Sequence, residues 1–356
     1  MSKASDLSSF NTDGASFKNR LINGAMVIDQ RNSGASIGTT TAGDGGAAGV
    51  TYTLDRWYYW VSLVSKFTVQ RNAGAVTSPA GYINYLGATS SSAYTVPAGE
   101  TYNINQSIEG YNASDFAWGS AAATTVSLSF WVRSSLTGTF GGGIRNSAEN
   151  RSYVFSYTIN SANTWEQKTI SITGDITGTW LTTNGVGIKL MFSLGSGSTF
   201  TNTPGAWYAG NYFNPTGAVN IVGTSGATFY ITGVQFEKGA SATSFDYRPI
   251  TTELQLCQRY YYQTTPTATN ATPTVYSAST NFTVGNIFSH PVTMRSNPTI
   301  TVLGTWAVSG TAATAPTIDG PNTQGYLAYV NGNNGTIGTT SFRPNSSGYL
   351  TVSAEL

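Results

Sequence analysis

Residues 228 to 262, TFYITGVQFEKGASATSFDYRPITTELQLCQRYYY, decide how the chain is read: a strand, a turn and a short helix that divide a large β-rich block from a smaller one. Phe229, Ile231 and Gly233 alternate with Tyr230, Thr232, Val234 and Phe236, the period of two that sends apolar side chains to both sides of a covered strand. Gly239 ends that strand, and Pro249 leads into a helix. Thr252 with Gln255 has the form of a capping box, and Ile250, Leu254, Cys257 and Tyr261 fall on one helical stripe. The helix so predicted is about three turns long.

Upstream, strand follows strand. YTLDRWYYWVSLV places Trp57, Tyr59, Val61 and Leu63 on one face and Tyr58, Trp60 and Val64 on the other. TTVSLSFWV at 124 to 132 sends Val126, Leu128, Phe130 and Val132 one way and Thr125, Ser127, Ser129 and Trp131 the other. RSYVFSYTI, WEQKTISI and VGIKLMF repeat the alternation, among Gly, Asn and Ser turns and with no long helix between them. The prediction is an all-β fold: a large antiparallel jelly-roll sandwich over 20–249, a short linking helix over 250–263 and a small C-terminal β-sandwich over 264–356. Trp57, Trp131 and Trp165 are assigned to its core. The polar residues 1–19, with Phe10 and Phe17 their only large apolar side chains, read as an N-terminal docking arm. In the last block, Tyr326/Ala328/Val330 and Tyr349/Thr351/Ser353 mark strands after the Pro/Thr linker TTPTATNATPT.

The composition narrows the function. Of 356 residues 40% are hydrophobic and 13% aromatic, enough for a real core, while only 9% are charged, against roughly 25% in ordinary soluble domains. The formal net charge of +1 supports neither nucleic acid nor membrane insertion as partner, and no run of 18 apolar residues occurs. Cys257 is the single cysteine, which excludes an intrachain disulfide and reads as a small buried hydrophobe. The glycine-rich SGASIGTTTAGDGGAAG lacks a P-loop lysine and a following helix.

The opening stretch also carries a resemblance. Gly233, Val234, Gln235, Phe236, Glu237, Gly239, Phe245, Arg248, Pro249, Glu253, Leu254, Leu256, Cys257, Gln258, Arg259, Tyr260 and Tyr261 resemble a pattern of tailed-bacteriophage and prophage structural proteins, especially tail-fibre and related virion-surface proteins. Asn23, Gly24, Asp29, Gln30, Arg31, Asp55, Arg56 and Trp57, and HPVTMRSNPTI at 290 to 300, extend it, with Phe236 standing where leucine is usual. Phe130, Trp131, Val132, Ser134, Gly138, Tyr153, Trp165 and Gly174 resemble the galactose-binding-like jelly rolls of carbohydrate-binding modules. The first resemblance implies a place on a virion surface, with assembly in a host cytoplasm, and the second a sugar-facing fold.

Few residues suit catalysis. His290 is the only histidine, sits before Pro291 at a predicted strand edge, and belongs to a different block from Cys257. One Cys and one His cannot furnish a zinc site, no D-x-D-x-D run nominates calcium ligands, and no cofactor is expected. Glu109 with Asp115 and Glu166 with Asp175 are the carboxylate pairs nearest in sequence for glycoside hydrolysis, with solvated loop positions as the plainer reading. Sugar binding by stacking is the sharper expectation, because saccharide C–H faces pack on aromatic rings while hydroxyls need amides or carboxylates alongside. TFTNTPGAWYAGNYFNPTG offers Trp207, Tyr208, Tyr212 and Asn211, and GYNASDFAWGS offers Trp118 and Asp115. For Trp207 three roles stand open: ligand contact, subunit interface and loop-anchoring core.

The resulting expectation is a non-enzymatic virion protein, a homotrimeric tail-fibre or receptor-binding subunit. It docks on other virion proteins through its N-terminal arm and contacts host-surface polysaccharide. The competing expectation is a capsid decoration, head-fibre or tail-connector protein with no glycan affinity.

Overall fold

The computed structural model describes residues 17–38, 51–264, 275–277, 282–309, 315–332, 338–344 and 347–356. The docking arm through residue 16, most of the glycine-rich connection, the Pro/Thr linker and the tip of the NGNNG turn lie outside the described residues. The chain divides between Ile250 and Thr251 into two compact units, and it is all-β apart from one α-helix and isolated 3-10 turns among the described residues.

In the first unit two antiparallel sheets face each other. The six-stranded sheet runs in the order β1 (Ile37–Gly38), β4 (Phe67–Arg71), β5 (Leu86–Ser90), β15 (Thr228–Lys238), β7 (Val126–Ser134) and β10 (Glu166–Ile172). The seven-stranded sheet runs β13 (Trp207–Tyr208), β9 (Ser152–Ile159), β8 (Gly138–Arg145), β11 (Val186–Ser196), β6 (Thr101–Glu109), β3 (Trp57–Val61) and β2 (Thr51–Leu54). A short parallel pair, β12 (Thr201–Asn202) with β14 (Asn214–Pro215), stands apart. Neighbours distant in sequence, such as β5 with β15 and β15 with β7, give the crossing connections of a jelly roll.

The alternation read from the sequence sets the inward faces. Leu128, Phe130 and Val132 of β7 meet Tyr153, Phe155 and Tyr157 of β9 and Ile188, Leu190 and Phe192 of β11 in one core. The Phe130 and Phe192 ring centroids are 5.1 Å apart across the sandwich. Each such side chain removed from water contributes roughly 1.5–3 kcal/mol. Of the three tryptophans assigned to the core only Trp57 is fully buried; Trp131 and Trp165 are half-buried. Trp165 lies just before β10 and packs edge-on against Tyr85, 5.5 Å away, on the outer side of the six-stranded sheet.

β15 departs from plain alternation. Its pairing with β7 shifts register between Thr232 and Gln235, a β-bulge at Gly233, whose φ is +61°. The extra residue reverses the parity, so Val234 and Phe236 join Phe229 and Ile231 in the core instead of facing away from them. Gln235 and Glu237 then point to the other side and are buried there. Gln235 Nε2 donates to Glu237 Oε1 (2.8 Å), Asp246 N to Gln235 Oε1 (2.7 Å), and Thr243 N to Glu237 Oε1 (2.7 Å).

This network closes the unit on its N-terminal side. Arg20 N donates to the Phe236 carbonyl and Val234 N to the Gly24 carbonyl. Asn19 Nδ2 donates to Val234 O (2.9 Å), and Arg248 donates to the carbonyls of Asn19 and Leu21. Asn23 Nδ2 reaches Asp55 O (3.0 Å), Trp57 Nε1 reaches Asn23 O (3.0 Å), and Asp55 accepts from Gln30. A Cβ on Gly24 would stand 2.1 Å from the Val234 carbonyl oxygen, so only glycine permits this approach. Residues 18–24 and 234–248 thus meet in one hydrogen-bonded clamp, in which residues 18 and 19, read from the sequence as the end of the arm, are held by Asp246.

In the second unit, helix α1 (Ile250–Gln258) has nine residues. It starts at Ile250, so Thr252 is inside the helix and does not cap it. Its buried stripe is Glu253, Cys257 and then Tyr260, whereas Ile250 is 59% exposed. Tyr261 belongs instead to β16 (Tyr261–Gln263), which pairs with β24 (Tyr349–Ser353), itself beside β19 (Thr299–Leu303). Two further antiparallel sheets are β17 (Val275–Ser277), β23 (Gly338–Pro344) and β20 (Trp306–Ser309), and β18 (Phe282–Ser289), β22 (Gly325–Gly332) and β21 (Thr317–Asp319). Tyr326, Ala328, Val330, Phe342 and Leu350 form the core. β24 turns Leu350 and Val352 inward, the parity opposite to Tyr349, Thr351 and Ser353.

Candidate functional site

The six residues nominated from sequence separate into three places. Trp118 is 8% exposed and belongs to the sandwich core, with Trp180 at 4.8 Å, Trp207 at 5.2 Å and Phe116 at 5.6 Å between ring centroids. Trp207 is half-buried in the same cluster, and its indole Nε1 donates to Thr173 O at 2.7 Å. The space beside Trp118 and Trp180 measures about 30 Å³, room for a water molecule and not for a sugar ring. Asp115 is engaged by Arg20 (2.9 Å) and, more distantly, Lys238 (3.7 Å).

Tyr208, Asn211 and Tyr212 are elsewhere, on the outer side of the seven-stranded sheet. The reason is parity: Trp207 pairs with Tyr153, whose side chain is in the core, while Tyr208 pairs with Ser152 on the opposite face. Tyr208 and Tyr212 pack edge-on at 5.9 Å. The segment that follows lies directly on β8, and the sequence of that strand, TFGGGIR, is why it can. A Cβ on Gly143 would stand 2.5 Å from Phe213 Cα, and one on Gly141 2.2 Å from Pro215 Cδ. Gly143→Val is therefore expected to lift this segment, costing about 1–3 kcal/mol and exposing residues 199–217 to limited proteolysis. An unchanged cleavage pattern would refute the seating.

Beside that segment, the outer face of the seven-stranded sheet, called the trough below, is laid out in rungs that the strand register gives. Tyr52 pairs with Tyr58, Tyr58 with Asn105, and Asn105 with Met191, which pairs with Gly143. In the next rung Trp60 pairs with Asn103 and Asn103 with Ser193. Tyr52 and Trp60 are half-buried, whereas Asn103, Asn105 and Met191 are 2–3% exposed. Neither Asn103 Oδ1 nor Asn105 Oδ1 has a hydrogen-bond partner among the described residues. A buried amide oxygen left unpaired costs roughly 1–3 kcal/mol, so two in adjacent rungs require an explanation.

One end of the trough is made of hydroxyls: Asn103 Nδ2 donates to Thr101 Oγ1 (2.8 Å), and Ser193 Oγ and Ser196 Oγ are 2.9 Å apart. The other end carries charge. Lys189 and Arg145 are opposite each other in register and both meet Glu149 Oε1, at 3.2 and 3.0 Å. Asn211 joins them, accepting from Arg145 Nη1 (2.5 Å) and donating to Glu149 Oε2 (3.2 Å). Burial pulls the pKa of both cations down, with Glu149 opposing it; for Lys189 the neighbouring Arg145 adds to the fall. Burial pushes the Tyr58 phenol up, partly offset by its hydroxyl contact with Ser107 at 3.1 Å.

The residues weighed for catalysis are held by structural contacts. Asp175 is buried against Arg151, with Oδ1 to Nη2 at 2.6 Å. Glu166 accepts from Asn160 and Lys168, and although desolvation raises its pKa these donors prevail and hold it at about 2. His290 is 8% exposed, not an edge residue open to water: Nδ1 is 2.8 Å from the Tyr262 hydroxyl and Nε2 2.9 Å from Asn322 O. Its pKa is lowered by burial, against the Asn322 contact. No cluster of three or more His, Cys, Asp or Glu side chains arranged to hold a metal occurs among the described residues. On the second unit an open hollow of about 330 Å³ is lined by residues including Ile287, Asp319 and Gln324. There Asn322 Oδ1 is satisfied by the Gln324 and Gly325 N–H groups.

No family model and no curated protein sequence matches the chain. Among solved structures it is similar to a putative sugar binding protein from Bacteroides thetaiotaomicron, at 10% identity over 62% of this chain and 100% of that one, with a TM-score of 0.34. A family 11 carbohydrate-binding module from Clostridium thermocellum, in complex with a β-1,3-1,4-mixed-linked tetrasaccharide, is similar at 13% identity over 59% and 100% of the two chains, TM-score 0.28. The enzymatically active domain of tailspike protein 4 of bacteriophage CBA120 is similar at 14% identity and a TM-score of 0.30; the match covers 52% of this chain and only 20% of that one. Likenesses at this level carry no argument about a site or an activity.

Proposed function

We propose that the chain is a glycan-recognising virion surface protein of a bacteriophage, a homotrimeric tail-fibre or receptor-binding subunit that holds host-surface polysaccharide in the trough without cleaving it. The observation that carries glycan binding is the outer face of the seven-stranded sheet, where half-buried Tyr52 and Trp60 stand on one side and Lys189, Arg145, Glu149 and Asn211 gather at one end. A saccharide ring has C–H faces for the aromatic rings and hydroxyls for the polar groups. The virion assignment is supported by the resemblance of residues 23–57 and 233–261 to virion proteins.

The test is titration of the full-length protein against an array of bacterial surface polysaccharides, with Trp60→Ala, Tyr52→Ala and, on the opposite sheet, Trp131→Ala. Binding that falls at least tenfold in the first two, with thermal stability retained, and is unchanged in the third supports the reading. A folded protein that binds no glycan, or loses binding only with Trp131→Ala, overturns it. Immunolabelling of purified particles tests the virion assignment separately.

A further inference from the structure

The charged end of the trough narrows the class of ligand. In a chain with only 9% charged residues, Arg145 and Lys189 occupy directly opposed positions on neighbouring strands, facing the same side. Like charges so placed repel. They are only half compensated, since both meet the same oxygen of Glu149. Glu149 is the most exposed of the three, at 41% for its side chain against 13% for Arg145 and 22% for Lys189. The buried Arg145 Nε has no hydrogen-bond partner among the described residues. One rung away, buried Glu109 and Arg56, which donates to Ser107 O at 2.6 Å, add one charge of each sign, so the excess stays positive.

Two desolvated cations sharing one carboxylate oxygen are costly unless another anion completes the set. We propose that the trough takes an anionic saccharide, whose carboxylate or phosphate group sits at Lys189 and Arg145 while its neutral rings run toward Trp60. An incoming oxyanion would accept from the Lys189 ammonium, whose Nζ keeps donors beyond the one used by Glu149. The inference rests on the reading of the trough as a glycan site.

The experiment uses the full chain and an array of bacterial polysaccharides bearing uronate, bearing phosphodiester, or bearing neither, with each uronate polymer also in carboxyl-reduced form. The expected result is retention of anionic glycans only. Carboxyl reduction, or removal of phosphate, should weaken binding at least tenfold, and raising salt should weaken it further. Lys189→Met should lose at least tenfold and Lys189→Arg should restore most of it. Tight binding to neutral glycans, or affinity unchanged by carboxyl reduction and by dephosphorylation, overturns this inference while leaving the glycan site standing. No binding to any polymer overturns both. The reduced-polymer arm uses unmodified protein, so it decides even if Lys189→Met does not fold.

Discussion

Trp118→Ala is expected to lower the stability of the first unit by about 3–5 kcal/mol while leaving the glycan affinity of the folded fraction unchanged. Trp118 fills space among Phe116, Trp180, Trp207 and Phe236, with ring centroids between 4.8 and 6.2 Å away. Its indole Nε1 also donates to Thr124 O at 2.9 Å, so truncation removes a hydrogen bond along with the packing. Two of these neighbours are themselves fixed, Trp180 by Asp175 and Trp207 by Thr173, and cannot collapse into the void. Urea unfolding followed by tryptophan fluorescence measures the loss. A change under 1 kcal/mol, or a selective loss of binding with stability intact, would return Trp118 to the role of a ligand platform that its loop context suggests.

The second large effect concerns Asp175. Its carboxylate accepts from Arg151 Nε (2.8 Å) and Nη2 (2.6 Å), from the Thr177 amide and hydroxyl (3.1 Å each), and from Trp180 Nε1 (3.3 Å). Desolvation pushes its pKa up, but the Arg151 contact and the Thr177 donors outweigh it, and the result is a lowered value. Glu166, held at about 2, behaves alike. A carboxyl group whose folded pKa is below its unfolded one stabilises fully above the unfolded value, near 4, and that contribution disappears as pH falls through the folded value. Stability of the first unit should therefore be flat from pH 7 to about 5 and fall steeply toward pH 2. Asp175→Ala leaves Arg151 without its partner and should cost about 3–5 kcal/mol at pH 7, with a shallower acid limb. Equal acid limbs in the two proteins would show that this pair does not drive the transition.

Much of the architecture was legible because a two-residue period is a local signal. Val126, Leu128, Phe130 and Val132 must face one way whatever lies opposite, and they do. The period fails where one residue is inserted: Gly233 looks like another member of an alternation, yet its positive φ makes the bulge that turns Val234 and Phe236 inward. Trp131 shares its parity with Ser127 and Ser129, and Trp165 stands on the parity opposite to Ile172, so the period itself pointed both outward and their core assignment followed side-chain size instead. Aromatic residues outside a periodic stretch looked exposed for want of a partner, but the partners of Trp118 are Trp180 and Trp207, far away in the chain.

The trough was harder still to read. Asn103 and Asn105 stand in a strand, TYNINQSIE, where they alternate with the core residues Tyr102, Ile104 and Ile108. This face exists only once the strands are assembled and the segment near Phe213 has settled on Gly141 and Gly143. The available signal was that run of three glycines inside a strand, which marks close approach by another backbone.

The clamp between residues 18–24 and 234–248 has a mechanical consequence. It holds the first described residues beside the end of the first unit at 246–248, so a pull applied between them is borne first by the clamp and not by the sandwich. Arg20 bonds to Phe236 and Gly24 to Val234, an antiparallel order in which tension opens bonds one after another, like a zipper. Arg248, Asp246 and Asn19 stand at the pulled end of that seam. The unit is thus hung from a latch that yields in sequence under load while the core and the trough keep their shape.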